Sequence, residues 1–264
     1  MEIKNYHQAT TLLDAYETFN EDSKNVIVGG GLWIKHTNPT IHTMIDLSNL
    51  GLNQITEYED YIEIGAMVTL RDFEMHHAIQ KLGGGFLFQG TNQIMGVGFR
   101  NLATVGGSIF GRYPFSDLIT PLLALETKLV FFMNGEIKLL DYLNQKGKNN
   151  DILVSIQIKK TLGKGFFKKV SNTQLAFSIL NIAVFKQDQK FKIVLGSRPG
   201  ISTLALEAID LLDNAVDVNA EIILEAAEIA ASSIRFGDNE DATEEYRREL
   251  ARVYVRRGLQ EVIS

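Results

Sequence analysis

The chain has no cysteine among its 264 residues. That excludes disulfides, thiolate nucleophiles and iron–sulfur clusters held by this chain's own thiolates. Proline is scarce, with four residues scattered through the sequence, so no proline-rich linker or arm is expected. No stretch approaches the roughly 18 consecutive apolar residues of a membrane span. Residues 1–20 carry no basic segment followed by an apolar run, so a soluble, cytoplasmic protein is expected. Positive charge is also in deficit: the formal net charge is −6. A nucleic-acid binder needs a concentrated basic footprint to displace counterions, so nucleic acid is not an expected partner. A dinucleotide remains compatible, because a few backbone N–H groups hold a diphosphate without altering net charge.

What is present reads as mixed helix and strand. Leu12, Leu13, Tyr16 and Phe19 have helical spacing, and Val26-Ile27-Val28 forms a strand that runs into Gly29-Gly30-Gly31. A short helix over 32–36, broken at Asn38-Pro39, and a strand over 44–47 complete an α–β–turn–β opening. Residues 54–66 alternate as a hairpin. Thr69 is expected to cap a helix through Phe73, Met75 and Ile79 that stops at Gly83-Gly84-Gly85, with another helix over 86–95. Residues 96–111, rich in glycine and small side chains, show no sustained period. Strands follow at 128–132, 136–139, 152–158 and 165–170. A hairpin turns at Gln187-Asp188, and helices cover 202–212, 220–232 and 244–262. The α+β pattern suggests a first domain over 1–164, with subdomains of about 1–53 and 54–164, and a second domain of sheet plus helices over 165–264.

Two glycine segments are chemically suggestive. In the first, Gly29-Gly30-Gly31 follow a strand, where they allow positive φ and close approach of backbone to a phosphate; a plain turn has the same composition. A Rossmann dinucleotide site would use Gly29 and Gly31 and an acid such as Asp46. However, Ile34 occupies the third glycine position, Trp33 is bulky, and the helix is short. In the second segment, Thr104-Val105-Gly106-Gly107-Ser108, two hydroxyls flank a glycine pair. It reads either as a second anion cradle or as a corner in a sheet. Beyond it, Thr120 is expected to cap a helix that opens with Pro121. Ser116 and Asp117 then lie in the preceding turn, where the carboxylate either caps the turn or accepts from ligand hydroxyls.

Together these segments resemble the FAD subunit of the molybdenum hydroxylases, the family of xanthine dehydrogenase, carbon monoxide dehydrogenase and 4-hydroxybenzoyl-CoA reductase. The resemblance is carried by Val28-Gly29-Gly30-Gly31, by Arg100-Asn101-Leu102 ahead of Thr104-Val105-Gly106-Gly107-Ser108, and by Tyr113-Pro114-Phe115-Ser116-Asp117. Further along, Asp151-Ile152-Leu153-Val154-Ser155-Ile156, Phe166-Phe167-Lys168-Lys169 and Glu245-Tyr246-Arg247-Arg248 also match in order. It implies the two-subdomain FAD-binding fold of the molybdenum hydroxylase and vanillyl-alcohol oxidase type, followed by a C-terminal domain.

The resemblance also implies a cofactor site. Val28, Gly29, Gly30, Gly31 and Leu32 would take one side of the FAD pyrophosphate. Ala103, Thr104, Gly106, Gly107 and Ser108 would take the other side and the ribityl chain. Tyr113 and Asp117 would lie at the cofactor, with Asp117 on ribityl or ribose hydroxyls. Ile152 and Leu153 would lie against flavin or adenine, Lys168 near the isoalloxazine, and Ile94 where some members place an aromatic. The implied partners are an iron–sulfur subunit, a molybdopterin-binding subunit, and NAD or another acceptor. The chain also resembles short bacterial subunits associated with purine hydroxylases. One departure stands out: many members carry an arginine pair and an aspartate where this chain has Ser171-Asn172-Thr173-Gln174-Leu175-Ala176, which puts NAD as acceptor in question. Two other functions are compatible with these residues, an assembly subunit without redox turnover and a self-contained NAD-dependent oxidoreductase.

Other charged clusters have plainer readings. His76 and His77, adjacent in sequence, do not make a metal pair, and no metal site is expected. The lysines around 159–169 suit a solvated turn. Arg247, Arg248, Arg252, Arg256 and Arg257 form either a solvated helix face or a docking face for a partner subunit.

Overall fold

A computed structural model describes residues 1–37 and 40–264. Asn38 and Pro39, expected to end a short helix, lie outside the described residues. The chain opens with β1 (Glu2–Gln8), α1 (Leu12–Glu21), β2 (Val26–Val28), α2 (Ile34–Thr37), β3 (Thr40–Asp46), β4 (Ile55–Glu57) and β5 (Tyr61–Gly65). Short helices follow: α3 (Leu70–Met75), α4 (His77–Lys81), α5 (Phe86–Thr91), α6 (Val97–Arg100), α7 (Val105–Phe110) and α8 (Ile119–Ala124). Next come β6 (Thr127–Phe131), β7 (Gly135–Lys138), α9 (Leu139–Asn144), β8 (Leu153–Lys159) and β9 (Lys164–Val170). The chain continues through β10 (Leu180–Gln187), β11 (Lys190–Gly196), β12 (Thr203–Leu204), α10 (Leu206–Asn214), α11 (Ala220–Ser233) and α12 (Glu244–Ile263). Packing groups these into two compact units that interleave along the chain. One is Met1–Phe73, Val97–Gly111 and Thr127–Lys159; the other is Glu74–Gly96, Arg112–Glu126 and Lys160–Ser264.

The first unit holds two sheets. A parallel three-stranded sheet has the order β1-β3-β2, and an antiparallel five-stranded sheet the order β4-β5-β8-β6-β7. The sequence reading missed β1. Its residues are exposed or half-buried, so it lacks the apolar alternation that announces a strand; it is an edge strand held by pairing with β3. Helix α1 starts as its spacing suggests, with Thr11 Oγ1 accepting from Asp14 N at 3.0 Å. Its inner face, Ala15 and Phe19, packs with Ala9, Ile45, Leu47 and Ile152. This small core ties the first sheet to the start of β8. Asp151, just before that strand, accepts from Met133 N, Asn134 N, Asn134 Nδ2 and Ile152 N, and so fixes the β6–β7 turn.

The second unit is an antiparallel sheet of order β12-β11-β10-β9 with α10, α11 and α12 over one face. Leu180, Ile182 and Val184 of β10 and Phe191, Ile193 and Leu195 of β11 point to those helices. The intervening β10 residues are buried too, and Phe185 stacks on Phe86 with ring centroids 5.6 Å apart. A strand covered on both faces reads as a continuous apolar run.

Several helix boundaries differ from the sequence expectation. Thr69 caps α3, with Asp72 N donating to its Oγ1 at 3.0 Å. The expected single helix through Ile79 is broken at His76, which is extended and starts α4. Residues 96–111 are not irregular: they contain α6 and α7. Helix α8 begins at Ile119 after Leu118, not at Pro121 after Thr120. Pro121 is tolerated there because N–H groups in a first helical turn have no intrahelical acceptor.

Arg247, expected on either a solvated or a partner-docking helix face, is 1% exposed. Its Nε donates to Ile179 O at 2.9 Å, and Nη1 donates to Gly237 O at 2.7 Å and Ala242 O at 2.6 Å. Its Nη2 donates to Asn239 Oδ1. Burial pushes the guanidinium pKa down, with Asp241 and Asp238 acting in the opposite direction. The side chain therefore pins the start of α12 to the approach to β10. Arg247→Met leaves those buried carbonyls without donors and is expected to lower stability by about 3 kcal/mol. Urea unfolding followed by far-ultraviolet circular dichroism measures this; an unchanged midpoint would contradict the assignment.

Candidate functional site

The first glycine turn leaves β2 at the edge of the parallel sheet. Gly31 has φ +70, a conformation that side chains rarely adopt. Gly30 is constrained by space instead: a Cβ there would collide with the Leu102 carbonyl oxygen and lie 2.5 Å from its carbon and 2.9 Å from Ala103 N. A Cβ on Gly29 would collide with Thr104 Oγ1. The turn thus rests directly on residues 102–104. Gly29 and Gly30 are half-buried and Gly31 is exposed. Among the described residues, no carbonyl or side chain accepts from the N–H groups of these three glycines. They form a set of backbone donors at an open turn, the arrangement that suits a diphosphate.

The second segment is the start of α7. Thr104 is its N-cap, with Oγ1 accepting from Gly107 N at 3.1 Å, while Ser108 Oγ donates to Thr104 O at 2.8 Å. Val105 N donates to Val68 O and Gly106 N to Ala66 O, each at 2.9 Å. A Cβ on Gly106 would stand 2.6 Å from Ala66 O. The expected diphosphate donors here are already engaged within the protein, and the segment is a helix start, not a sheet corner. It supplies the floor on which the first turn lies. Gly107 is exposed and Ser108 half-buried, so both remain accessible at its rim.

Val28 and Leu32 flank the first turn and are half-buried, while Ala103 is buried under it. Ile152 is fully enclosed in the small core beside α1, and Leu153 is buried on β8. Asp46, the acid of the Rossmann alternative, ends β3 and accepts from Tyr6 Oη at 2.5 Å and Ser48 N at 2.8 Å. Its carboxylate is thereby engaged within the protein, and α2 spans four residues. Neither feature suits a Rossmann ribose site.

Ile94, Tyr113, Asp117 and Lys168 lie in the second unit. Asp117 is buried. Its Oδ1 accepts from Asn181 Nδ2 at 2.7 Å and from Ser178 Oγ, and its Oδ2 pairs with Lys169 Nζ at 3.2 Å. Lys169 Nζ also donates to Gln93 O at 3.0 Å, next to Ile94. Thr120 joins through Asn181 Oδ1 and Ser202 Oγ, each at 2.7 Å. The sequence reading missed Lys169, Ser178, Asn181 and Thr120 as members of this cluster. The signal was the alternation of β9, which sends neighbouring side chains to opposite faces. Lys169 turns to Asp117, whereas Lys168 turns to the helices and lies 5.6 Å from the Tyr254 ring centroid. Tyr113 stacks on Phe115 with centroids 5.4 Å apart, and burial raises its hydroxyl pKa. Phe115 in turn meets Phe177 at 4.4 Å, beside the exposed stretch 172–175.

Comparison with known proteins shows what the chain is similar to. Residues 1–160 match the family described as FAD binding domain in molybdopterin dehydrogenase, and residues 165–262 match the CO dehydrogenase flavoprotein C-terminal domain. The xanthine dehydrogenase FAD-binding subunit of Escherichia coli O157:H7 is 26% identical over 199 residues, covering 69% of this chain and 68% of that protein. The glyceraldehyde dehydrogenase medium chain of Sulfolobus acidocaldarius is 22% identical over 246 residues, covering 87% of this chain and 81% of that protein. A chain of quinoline 2-oxidoreductase from Pseudomonas putida 86 superposes with a TM-score of 0.87, covering 98% of this chain and 96% of that chain at 18% identity. That last likeness is one of fold: an FAD-binding domain followed by a C-terminal domain.

Two substitutions separate the roles of the glycines. Gly30→Ala forces the first turn off residues 102–104 and is expected to abolish FAD retention through purification. Gly31→Ala meets no close atom and adds only left-handed strain of about 1–2 kcal/mol, so it should weaken retention without abolishing it. Flavin absorbance per chain reads both, and equal retention would contradict the packing argument. Asp117→Ala leaves Lys169 buried and unpaired and is expected to cost about 3–5 kcal/mol in stability, with Asp117→Leu/Lys169→Met recovering most of it. Chemical denaturation of the three proteins tests this; a mild single-variant effect would show that solvent reaches Lys169.

Proposed function

Since the chain belongs to the family of FAD-binding flavoproteins of the molybdopterin dehydrogenases, we propose that it is the electron-transfer subunit of a xanthine- or purine-oxidising complex. It is an oxidoreductase subunit, and its cofactor is FAD. The finer reading is that a molybdopterin-binding partner oxidises the substrate. An iron–sulfur partner would pass the electrons to this chain, and NAD or another acceptor would remove them. The E. coli relative named as a xanthine dehydrogenase subunit supports the substrate class. The absence of cysteine supports the division of labour, because cluster ligands must then come from another chain. Among the described residues, no helix is long and apolar enough to cross a membrane, and we propose a cytoplasmic site of action.

The observation that carries the cofactor geometry is the open turn Gly29-Gly30-Gly31, whose N–H groups lack acceptors among the described residues and whose floor is residues 102–104. In this proposal those groups hold the diphosphate by charge-assisted hydrogen bonds of roughly 1.5–3 kcal/mol each. Val28, Leu32 and Ala103 shape the turn and its floor. Thr104 holds Gly107 and Ser108 at the rim through its cap, and Gly106 lets α7 sit against Ala66. Leu153 opens β8, and Ile152 just before it belongs to the small core beside α1. In the second unit, Lys169 and Asn181 fix the Asp117 carboxylate, while Ile94 and Tyr113 stand on the segments that the cluster anchors. Bound FAD supplies two-electron and one-electron chemistry, so it can join single-electron clusters to a two-electron acceptor.

The purified chain is expected to be yellow, to release its flavin into the supernatant on acid precipitation, and to be bleached by dithionite. NADH should reduce it slowly, since the 171–176 stretch carries no charged side chain. Alone it should oxidise no purine. Purine-dependent flavin reduction by the isolated chain would overturn the division of labour, and fast reduction by NADH would overturn the reading of that stretch.

A further inference from the structure

A groove of about 550 Å³ runs between β9 and α12, lined by Phe166, Lys168, Tyr254, Arg257, Gln260 and Glu261. Its geometry follows from two periodicities. Phe166 and Lys168 are alternate residues of a strand and share one face. Tyr254, Arg257 and Glu261 stand at i, i+3 and i+7 on one helix face, a stripe about 10 Å long. Lys168 Nζ lies 5.6 Å and Arg257 Cζ 5.3 Å from the centroid of the Tyr254 ring. Both cations are thus held against the same ring by its electron-rich face.

Lys168 and Arg257 differ from Arg247, Arg248 and Arg252 of the last helix in lacking a partner group among the described residues, while Arg256, also outside ion-pair distance of a carboxylate among them, does not line the groove. Arg247 is buried on backbone carbonyls. Arg248 pairs with Glu244, and Arg252 with Glu249 and Glu228. Among the described residues, no carboxylate lies within ion-pair distance of Lys168 or Arg257. On a chain of net charge −6, the groove therefore presents two cations around an aromatic face, against one carboxylate in its lining, Glu261. The strand beside it is also unusual. β9 is the outer strand of its sheet, so the backbone groups facing away from β10 have no strand partner among the described residues. An unpartnered edge is a ready site for an added strand.

We propose that this groove docks an extended acidic segment of a partner polypeptide, with its carboxylates on Lys168 and Arg257 and its backbone along the edge of β9. An open groove built from two elements suits such a segment better than a small molecule, which usually needs most of its surface enclosed. The proposal rests on the reading of the chain as a subunit, and its test separates the two. The complex is isolated from the native cells and treated with a carbodiimide, which joins an amine directly to a carboxylate in contact with it. Coupled peptides are then mapped by mass spectrometry. Lys168 is expected to be joined to an aspartate or glutamate of a partner chain. An intact complex in which Lys168 is uncoupled, or joined only to Glu261, overturns the proposal and leaves the subunit reading standing. A chain that purifies with no partner removes both. As a second measurement, Arg257→Glu is expected to weaken partner retention by about tenfold or more. Flavin content per chain should stay unchanged. Undiminished retention overturns the proposal, and so does a parallel loss of flavin, which would make the effect one of folding.

Discussion

The organising constraint of the first unit is the contact between Gly30 and the carbonyl of Leu102. No side chain fits between them, so two segments more than 70 residues apart are in direct backbone contact. Much else follows from that contact. Residues 102–104 can form a floor only if α7 starts immediately after them. It does so because Thr104 caps it and because Ala66 and Val68 accept the first free N–H groups. Those two acceptors lie just beyond β5, so the antiparallel sheet positions the floor while the parallel sheet positions the turn. The cradle is therefore a property of two sheets brought together, and neither glycine motif makes it alone.

The second unit is organised differently. Asp117, Lys169, Ser178 and Asn181 form a closed polar cluster within an otherwise apolar sheet face. A buried carboxylate is tolerable only when nearly all of its hydrogen-bonding capacity is met, and here three side chains meet it. The cluster links the segment before α8 to β9 and β10, and through Gln93 it also reaches the segment after α5. Such a network gives position more than stability, since desolvating the charges offsets much of their attraction.

The parts of the fold written as periodic patterns were legible in the sequence. These include α1, the β10–β11 hairpin and the three C-terminal helices. The two glycine segments were also legible as special, and their order along the chain carried the family resemblance. What escaped had a physical reason in each case. β1 lacks alternation because it lies exposed at an edge. Residues 96–111 hide α6 and α7 because helices of four and six residues are too short to show a period. His76 interrupts a helix with no proline or glycine to announce it. Arg247 looked like one of a row of surface arginines, since sequence alone does not show which turn of a helix meets backbone carbonyls. Lys168 and Lys169 are the sharpest example: adjacent and chemically identical, they differ only in which face of β9 they occupy, and that parity is settled by pairing with β10.

The same separation explains why the chain specifies a cofactor more clearly than a substrate. Apart from the Thr104 hydroxyl, the glycine turn presents backbone: N–H groups, a carbonyl that excludes a side chain, and a helix start. Such features recognise a diphosphate, which is common to every FAD, and carry no information about the molecule being oxidised. Substrate recognition requires side chains converging on a reacting atom, which a backbone turn does not supply. Asp117 paired with Lys169 holds segments of this chain together, and in our proposal Lys168 with Arg257 meets another polypeptide. In the proposed reading, a subunit whose backbone holds the flavin and whose surface cations meet a partner can exchange the oxidised substrate without changing its own site. This accounts for one fold being shared by proteins named for xanthine, quinoline and glyceraldehyde at identities of 18–26%.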